Sequence, residues 1–356
     1  MSVSRLASYT HMLTLEETSL GLAGSALANA LKQIPHIRIR VYEATATFSE
    51  RGAAIFPPGG KDDLLKIAGA GSGPHARKII FDSAGTEPEM IVHRASLLRE
   101  LLALLPQDIL YADKKLVSIS SVPNTHRVRA TFVGGAADEF DGVIGADGIF
   151  SLVCSYVRQG GVDKHAATPA GFRGCRSLVS MDKAKAVLGT DLFEIDRQCG
   201  RVGDGGFMMH DMLENRTVVQ CVIPVAFRNW LDGPLVGDAA HTMTPWQGSG
   251  AAVAFEDVMI LQELFRHVRS PVQIEPVFKA YDALRRPRCQ RVADSSRETG
   301  MILCGQNEEA DLDLEKLGLL LSTMWDFIAG LDMIVRKNDA VIKLNEYIEA
   351  LGSAIA

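Results

Sequence analysis

The sequence has no long apolar run, no excess of positive charge and no closely spaced pair of cysteines. No apolar stretch reaches the roughly 18 residues that a membrane-spanning helix needs, and residues 1–5 lack the apolar core of a signal peptide. The net charge of −6 argues against the basic surface typical of nucleic-acid-binding proteins, and we expect no nucleic-acid partner. The six cysteines are scattered without a C-x-x-C pair, which indicates thiols in a reducing compartment. We expect a cytoplasmic protein with no clear membrane segment.

The composition is that of a globular protein large enough for two lobes, with 356 residues of which 47% are hydrophobic and 22% charged. Alternating apolar and polar residues predict strands over residues 36–43, 78–82, 115–120, 127–133 and 140–144. Short apolar segments between about residues 167 and 224 predict a small β-sheet lobe. Helical patterns cover residues 25–33, 95–105, 251–269, 276–285, 287–303, 317–335 and 339–351. The fold class is therefore α/β, or α+β.

The most informative segment is residues 237–251, Gly-Asp-Ala-Ala-His-Thr-Met-Thr-Pro-Trp-Gln-Gly-Ser-Gly-Ala. An acid at the end of an apolar run can accept hydrogen bonds from a polyol. The glycines allow the backbone to approach a flat ligand, and the start of the following helix presents free N–H groups. These features belong to Asp238, Pro245, Gly248, Gly250 and Ala251.

A second pattern occurs near the start of the chain. Gly21 and Gly24 open a helical run, and Glu43 ends the next predicted strand 19 residues after Gly24. An acid about twenty residues after the last glycine is typical of a dinucleotide-binding βαβ unit. A glycine pair that only packs a helix remains the alternative interpretation.

This unit departs from the usual fingerprint in two ways. Ser19 stands where the first glycine is expected, and it adds a Cβ where backbone and pyrophosphate approach each other. Residues 13–18 are too polar for a buried parallel strand, which normally reads as a continuous apolar run. We therefore expect the opening strand to be missing or rewritten.

A third pattern ends the predicted strand at residues 140–144. The sequence Gly145-Ala146-Asp147-Gly148 follows that strand, so Asp147 is expected at a carboxyl edge of a sheet. The alternative is an aspartate that only forms the turn before a glycine.

Together these patterns resemble the FAD-dependent aromatic monooxygenases, the salicylate-hydroxylase-like flavoproteins with the p-hydroxybenzoate-hydroxylase fold. The resemblance rests on three blocks and covers nearly the whole chain. The first block is residues 21–43 with 51–55, and the second is residues 144–151. The third is residues 237–257, continued by 281–290 and 295–300.

The resemblance implies a Rossmann-like, discontinuous FAD-binding domain over residues 12–165 and 231–300. It further implies a shortened β-sheet substrate lobe over 166–230 and a C-terminal helical region over 301–356. FAD would extend across the first domain. The residues expected to bind FAD are Gly21, Gly24, Glu43, Ala54, Arg94, Asp147, Asp238, Pro245, Gly248, Gly250 and Ala251.

The resemblance also assigns roles along the cofactor. Glu43 would hold the adenosine ribose, Gly21 and Gly24 the pyrophosphate, and Asp238 the ribityl chain. Arg94 would reach the phosphate or ribityl region, with a surface arginine as the alternative. Asp147 would lie near the pyrophosphate and take part in NAD(P)H engagement. Pro245 and the amides of residues 248–251 would border the isoalloxazine.

The implied activity is FAD- and NAD(P)H-dependent hydroxylation of a small phenolic or polycyclic metabolite, in secondary metabolism, through a flavin C4a-hydroperoxide. The partners would be the aromatic substrate and O2, and the protein would be a monomer or homodimer. Arg176 is the expected cation beside the substrate oxygen, because a cation stabilises phenolate; a solvent-facing strand arginine is the alternative. His210 occupies a position where relatives carry a substrate-facing aromatic residue, and it is either a base or a residue of the sheet.

One departure concerns the substrate lobe. Only residues 225–230 link the small sheet to the strand before Gly237, where relatives insert several tens of residues that help to wall the substrate pocket. This shortening and Ser19 motivate an alternative function: a degenerate or non-oxygenase flavin-fold protein with a binding, accessory or cyclisation role.

Overall fold

The computed structural model describes residues 9–15, 21–46, 54–55, 65–70, 74–82, 92–148, 151–157, 172–194, 197–213, 216–226, 243–310 and 312–355. The strands within these ranges are β1 (Tyr9–Leu15), β2 (Ile37–Glu43), β3 (Ala54–Ile55), β4 (Leu65–Gly69), β5 (Ile79–Asp82), β6 (Val92–His93), β7 (Leu110–Tyr111), β8 (Leu116–Ser121), β9 (Val128–Phe132), β10 (Ala137–Phe140), β11 (Gly142–Gly145), β12 (Phe172–Ser180), β13 (Gln198–Gly203), β14 (Gly206–Leu213) and β15 (Val218–Ala226). The helices are α1 (Leu22–Leu31), α2 (Arg94–Ala103), α3 (Leu152–Val157), α4 (Met181–Leu188), α5 (Gly250–Arg266), α6 (Ile274–Leu303), α7 (Leu314–Thr323), α8 (Asp326–Ala329) and α9 (Met333–Ile355).

A four-stranded parallel sheet of order β11-β1-β2-β7 forms the centre of the first domain. The expectation of a missing opening strand was wrong, because β1 pairs with β2 on one side and β11 on the other. The polar window at residues 13–18 covers only the last part of this strand, which begins at Tyr9. Hydrogen bonds to two neighbouring strands hold such a backbone irrespective of its intrinsic strand propensity.

Helices cover this sheet and bury a common apolar core. Leu27, Leu31 and Val41 of α1 and β2 pack in one cluster with Leu264 of α5 and Val277 of α6. The terminal helix α9 joins the same cluster through Ala340 and Leu344. The C-terminal helix therefore packs against the domain that carries the parallel sheet.

Strands β8, β9 and β10 form a separate antiparallel sheet beside the parallel one. Tyr42, the penultimate residue of β2, stacks on Phe132 with ring centroids 4.7 Å apart. Its hydroxyl donates to Asp138 Oδ2 at 2.9 Å. These contacts fix the carboxyl end of β2, where Glu43 follows.

The second lobe is a six-stranded sheet of order β12-β15-β14-β13-β4-β5. Two of its strands, β4 and β5, come from the segment 12–165, and β4 pairs in parallel with β13. The observed lobe therefore contains two strands that lie outside the predicted range of 166–230. The domain boundaries themselves stay a prediction.

Helix α6 runs without a break from Ile274 to Leu303, although Pro287 lies inside it. Two separate helices, at 276–285 and 287–303, were expected, and this expectation was wrong. A proline removes one backbone hydrogen bond and crowds the preceding turn. Here Arg285 and Arg288, on either side of Pro287, both bond to Glu256 of α5, and these tertiary contacts hold the helix together.

All six cysteines lie among the described residues, and none of them forms a disulfide. In the ranges given above, no single helix has both the length and the apolar character of a membrane span. The bent pair Leu314–Ile328 and Met333–Gly352, with 52° between its halves, meets both requirements only when the two are taken together.

Candidate functional site

The carboxyl edge of the parallel sheet brings three of the predicted residues together. In register, Leu15 of β1 lies opposite Glu43, and Thr14 lies opposite Gly145 at the end of β11. Gly21 precedes α1 and Asp147 follows β11 beside these strand ends. In open α/β sheets this edge is where nucleotide ligands bind.

Glu43 is fully buried and uses only one of its carboxylate oxygens within the described residues. Oε1 accepts hydrogen bonds from the Thr45 backbone N–H and the Thr45 hydroxyl, both at 2.8 Å. Oε2 is buried, and no described group bonds to it. A buried carboxylate oxygen requires a donor, so the site fits a ligand that supplies hydroxyl groups, as the adenosine ribose of FAD does.

Gly21 is the N-cap of α1 and has an extended backbone conformation. A Cβ placed on Gly21 would meet nothing within 4 Å. The turn therefore has open space beside the first N–H groups of the helix, which can bind a phosphate. Gly24, one turn into α1, is buried in the helix packing. Ser19 lies outside the described residues.

Asp147 caps helix α3 through Oδ2 and holds the preceding serine through Oδ1. Oδ1 accepts from the Ser151 hydroxyl at 2.5 Å, and Oδ2 accepts from the N–H groups of Leu152 and Val153 at 2.8 and 3.2 Å. Burial raises the pKa of this carboxyl, although each of these hydrogen bonds acts in the opposite direction. The observed contacts support the capping role; a contact with cofactor or NAD(P)H stays a prediction.

Two further predicted cofactor residues lie side by side. Ala54 of β3 pairs with His93 of β6, and Arg94 follows as the first residue of α2. The short two-stranded sheet thus holds the Arg94 backbone next to the Ala54 backbone. Their proposed contact with FAD stays a prediction.

The segment that leads into α5 combines a tight turn with a helix start. Pro245–Gln247 form one 3₁₀ turn, and Gly248 then adopts a left-handed φ of 65°. This φ favours glycine, since it strains a residue with a Cβ. Gly250 begins α5, and a Cβ there would meet nothing within 4 Å. Gly250 therefore leaves open space at a helix start, which fits a flat ring, and Ala251 follows it in α5. Asp238 lies outside the described residues.

Helix α6 anchors this turn through residues to which no role had been assigned. The Ser296 hydroxyl donates to the Thr244 carbonyl at 2.5 Å, and Gln247 Nε2 donates to the Ser295 hydroxyl at 2.9 Å. Gly300 lies against the indole of Trp246. The segment Ser-Ser-Arg-Glu-Thr-Gly at 295–300 belongs to the resemblance, but only the fold reveals that it supports the turn.

A buried ion-pair network joins α5 to α6. Arg285 Nε lies 2.6 Å from Asp257 Oδ1, and Arg285 Nη1 lies 2.7 Å from Glu256 Oε2. Arg288 Nη2 also contacts Glu256 Oε1, at 3.0 Å. Coulombic attraction to Asp257 and Glu256 raises the pKa of Arg285, against the opposing effect of its burial. The network fixes α5 and therefore the direction of its N-terminus.

One face of the six-stranded sheet meets this turn. Phe207 and Met209 on β14 belong to the same apolar cluster as Trp246, and the rings of Phe207 and Trp246 are 6.0 Å apart between centroids. We call this side of the sheet the Trp246 face. It is the side on which a substrate would meet a ring bound at the start of α5.

His210 lies on the opposite face, because side chains alternate along β14. Its ring is 5.2 Å from that of Phe193, between centroids, and its Nε2 is buried without a hydrogen bond to any described group. Burial, with a smaller contribution from Arg201, lowers the pKa of His210 to about 4. The geometry supports a packing role for the neutral ring; the role as a base stays a prediction.

Arg176 takes part in the sheet through β12. It lies opposite Val222 of β15, and Val222 lies opposite Met209. Paired residues of antiparallel strands share a face, so the Arg176 position belongs to the Trp246 face. The structure therefore separates the two predicted catalytic positions, Arg176 and His210, by the thickness of the sheet.

A cavity of about 420 Å³ opens elsewhere, at the end of the sheet next to the hairpin between β13 and β14. It is lined by Arg77, Arg201, Phe207 and Met208, among others, and contains none of the predicted site residues. Phe207 also contacts Trp246, so the cavity borders the apolar cluster beside the start of α5.

Comparison with known proteins gives the family. A family model described as FAD binding domain matches residues 228–296. The 6-methylsalicylate 1-monooxygenase of Aspergillus terreus is 26% identical over 419 aligned positions, covering 94% of this chain and 93% of that protein. Salicylate hydroxylase of Pseudomonas putida is 25% identical over 398 positions, covering 88% and 91%. Both alignments are longer than the 356-residue chain, so these relatives carry segments that it lacks.

A solved structure titled as a salicylate hydroxylase substrate complex superimposes with a TM-score of 0.76 at 21% identity, and covers 94% of this chain and 98% of that one. This confirms the fold class, in which a parallel FAD-binding sheet carries an added β-sheet lobe. The family match, the relatives and the fold agree on one assignment. The chain is an FAD-dependent monooxygenase with FAD as its cofactor, and it is similar in sequence to the aromatic hydroxylases named above.

Proposed function

We propose that the protein hydroxylates a small phenolic or polycyclic metabolite, with NAD(P)H as electron donor and O2 as co-substrate. The observation that carries the proposal is the packing of Phe207 against Trp246, with 6.0 Å between ring centroids. It joins the substrate lobe to the turn that starts α5. A ring bound at that turn and a substrate on the Trp246 face would be neighbours.

FAD would supply the redox chemistry once bound and reduced. The residues proposed to hold it are Glu43 at the adenosine ribose, Gly21 and Gly24 at the pyrophosphate, and Asp238 at the ribityl chain. The buried Oε2 of Glu43, to which no described group bonds, supports this orientation. Ala54, Arg94 and Asp147 are proposed as further cofactor contacts between these points, and residues 245–251 as the border of the ring.

The protein itself has two tasks in this reaction. It must orient the aromatic ring and exclude water, so that the activated oxygen is not lost. The apolar cluster that contains Phe207, Met209 and Trp246 would close one side of the proposed substrate pocket. Arg176 is proposed to stabilise the ionised phenol oxygen, which favours electron donation from the ring.

The test begins with the purified protein and its visible spectrum after addition of excess FAD. We expect flavin bands that survive gel filtration and that are lost in Asp238→Ala. NAD(P)H oxidation stimulated by an aromatic substrate, with label from isotopic O2 in the product, would establish hydroxylation. Oxidation without label would identify a different flavin oxidoreductase activity, and a protein that never retains flavin would disprove the proposal.

A further inference from the structure

We propose that the cavity beside the β13–β14 hairpin is a second binding site of the protein and takes a small aromatic carboxylate. Its volume is about 420 Å³, and Arg77, Arg201, Met208 and Ile223 are among the residues that line it. Pockets of this size that combine an apolar lining with a few charged groups commonly bind small molecules. Apart from Phe207, none of the lining residues belongs to the site proposed for FAD and substrate, so the inference goes beyond the proposed function.

The cavity includes the face of the six-stranded sheet opposite the Trp246 face. Arg201 of β13 pairs with Met208 of β14. The β14–β15 register, continued by one step from Met209, places Met208 opposite Ile223. Paired residues of antiparallel strands share a face, and successive residues alternate between faces, so these three residues form a row on the side away from Met209. A ligand beside this row would be separated by the sheet from a substrate on the Trp246 face.

Two guanidinium groups give the cavity its charge. Arg201 Nη1 donates to the Gly200 carbonyl at 3.1 Å, and its remaining donors bond to no described group. Among the described residues, the side chain of Arg77 has neither an ion-pair partner nor a hydrogen-bond partner. Both side chains therefore keep N–H groups for a bound molecule.

Acidic residues near the cavity do not neutralise this charge. Asp82 of β5 is paired with Lys66 and Arg197, at 3.8 and 3.0 Å. Asp204, in the hairpin itself, is exposed and does not line the cavity. The segment 71–73, just before the turn that carries Arg77, lies outside the described residues and has the uncharged sequence Gly-Ser-Gly. Two cations that line one cavity without a counter-ion favour an anionic ligand.

The backbone of Arg77 supports a binding role for its side chain. Arg77 has a left-handed φ of 64°, which strains a residue with a Cβ and which glycine adopts without strain. Its N–H donates to the Gly69 carbonyl at 3.0 Å, and the Gly69 N–H donates to the Lys78 carbonyl at 3.0 Å. The turn is thus fixed by backbone hydrogen bonds that any residue could make. Strained residues cluster at ligand-binding sites, and the strain here carries a guanidinium to the cavity.

The lining defines the class of ligand. A guanidinium group can bind a carboxylate through two parallel N–H···O bonds, and it can also stack on an aromatic ring. The thioether of Met208 makes favourable contacts with aromatic groups. Ile223 is 45% exposed, and a bound ring would remove its apolar surface from water. An inorganic anion would satisfy the charge and leave this surface uncovered, whereas an aromatic carboxylate satisfies both requirements.

The experiment measures the binding of 2-naphthoate to the FAD-loaded protein by calorimetry. Arg77→Gln and Arg201→Gln should each weaken binding by about ten-fold or more, because each variant keeps a polar side chain and removes a cation. The matched control is Arg99→Gln, at an arginine of α2 whose side chain is 72% exposed, and it should leave the affinity unchanged. The neutral alcohol 2-naphthylmethanol, which has the same ring, should bind the wild-type protein about ten-fold more weakly than naphthoate.

Arg77→Gly separates binding from folding. It relieves the left-handed backbone, so the thermal midpoint should hold or rise while the affinity for naphthoate falls. Flavin content and the thermal midpoint show whether each variant is folded.

The inference is overturned if the wild-type protein binds no naphthoate, or if folded Arg77→Gln or Arg201→Gln binds it as tightly as the wild type. Equal binding of the neutral alcohol would also overturn it, as would displacement of naphthoate by an equal concentration of inorganic phosphate. A protein that binds naphthoate in this way and hydroxylates no aromatic compound would refute the proposed function and leave the second site intact.

Discussion

Gly300 of α6 lies directly against the indole of Trp246, so closely that a Cβ on residue 300 would be 2.3 Å from Trp246 Nε1. Trp246 is itself part of the turn that starts α5, and its ring reaches the sheet of the second lobe at Phe207. Because Gly300 has no side chain, the Trp246 indole can pack against α6 and still contact the second lobe.

Gly300→Ala should therefore destabilise the protein and weaken FAD binding. Overpacking of this kind costs about 1–3 kcal/mol, which exceeds the gain of up to about 1 kcal/mol from a better helix former. Thermal unfolding and FAD titration measure the two effects. The matched control is Gly352→Ala in α9, where a Cβ meets nothing within 4 Å and stability should hold or rise. Equal changes in thermal stability and FAD affinity in the two variants would contradict the close packing of Gly300 against Trp246.

Glu43→Gln should weaken FAD binding by about ten-fold or more, because a hydrogen bond to a charged group contributes roughly 1.5–3 kcal/mol. The glutamine can keep the Thr45 contacts through Oε1, but it presents a donor where Oε2 accepts. Fluorescence titration with FAD measures the change. FMN, which lacks the adenosine, should bind both proteins alike.

The control for this change is Glu100→Gln, at an acid whose side chain is 70% exposed and lies on the outside of α2. It should leave FAD affinity unchanged. Equal losses of FAD and FMN affinity in Glu43→Gln would show that the residue supports the fold instead of the ribose.

Glu43 and Gly21 show what the sequence can predict. An acid at the end of an alternating strand, and a glycine before a helical run, are both local patterns, and the structure places both residues at the predicted sheet edge. The alignment of Gln198, Asp211 and Gln220 across one face of the second lobe could not be predicted in the same way, because it depends on the register of three consecutive strands.

Arg285→Leu should destabilise the folded state by about 3 kcal/mol, because it leaves Asp257 buried without the guanidinium. The loss appears as a lower midpoint in urea unfolding. Arg286→Leu is the matched control: its side chain is 74% exposed and pairs with Asp282 on the surface, so a change below about 1 kcal/mol is expected. Similar losses in the two variants would show that the buried network contributes little.

Stability should depend on pH through His210. Its pKa is lowered from 6.5 to about 4 in the folded state, so between these values the unfolded chain binds a proton that the native protein does not. Stability therefore falls as the pH falls from about 6.5 to about 4, by about 2 to 3 kcal/mol at pH 4.5. Urea unfolding at a series of pH values measures this loss.

His210→Phe should lose this part of the pH dependence, whereas His267→Gln at the exposed end of α5 should keep it. A variant His210→Phe that binds FAD but has lost turnover would instead favour the role of a base. Retained turnover would confirm that the ring packs behind the sheet.

The helix α6 was the element that the sequence described least well, since Pro287 suggested a break. Proline reports a local backbone preference, whereas the ion pairs of Arg285 and Arg288 to Glu256 depend on a helix more than twenty residues earlier. Similarly, the polar composition of residues 13–18 argued against a strand, but β1 forms because it pairs with a strand on each side.

Because α6 is continuous, the number of residues between its ion pairs and its contacts with the turn is fixed. Each residue advances an α-helix by about 100° and 1.5 Å. Deleting one residue between Arg288 and Ser295 would keep the ion pairs but rotate Ser295, Ser296 and Gly300 away from the turn that they support. Over this stretch the residue count must be conserved even where the residue types are free, and natural variation there should consist of substitutions without insertions or deletions.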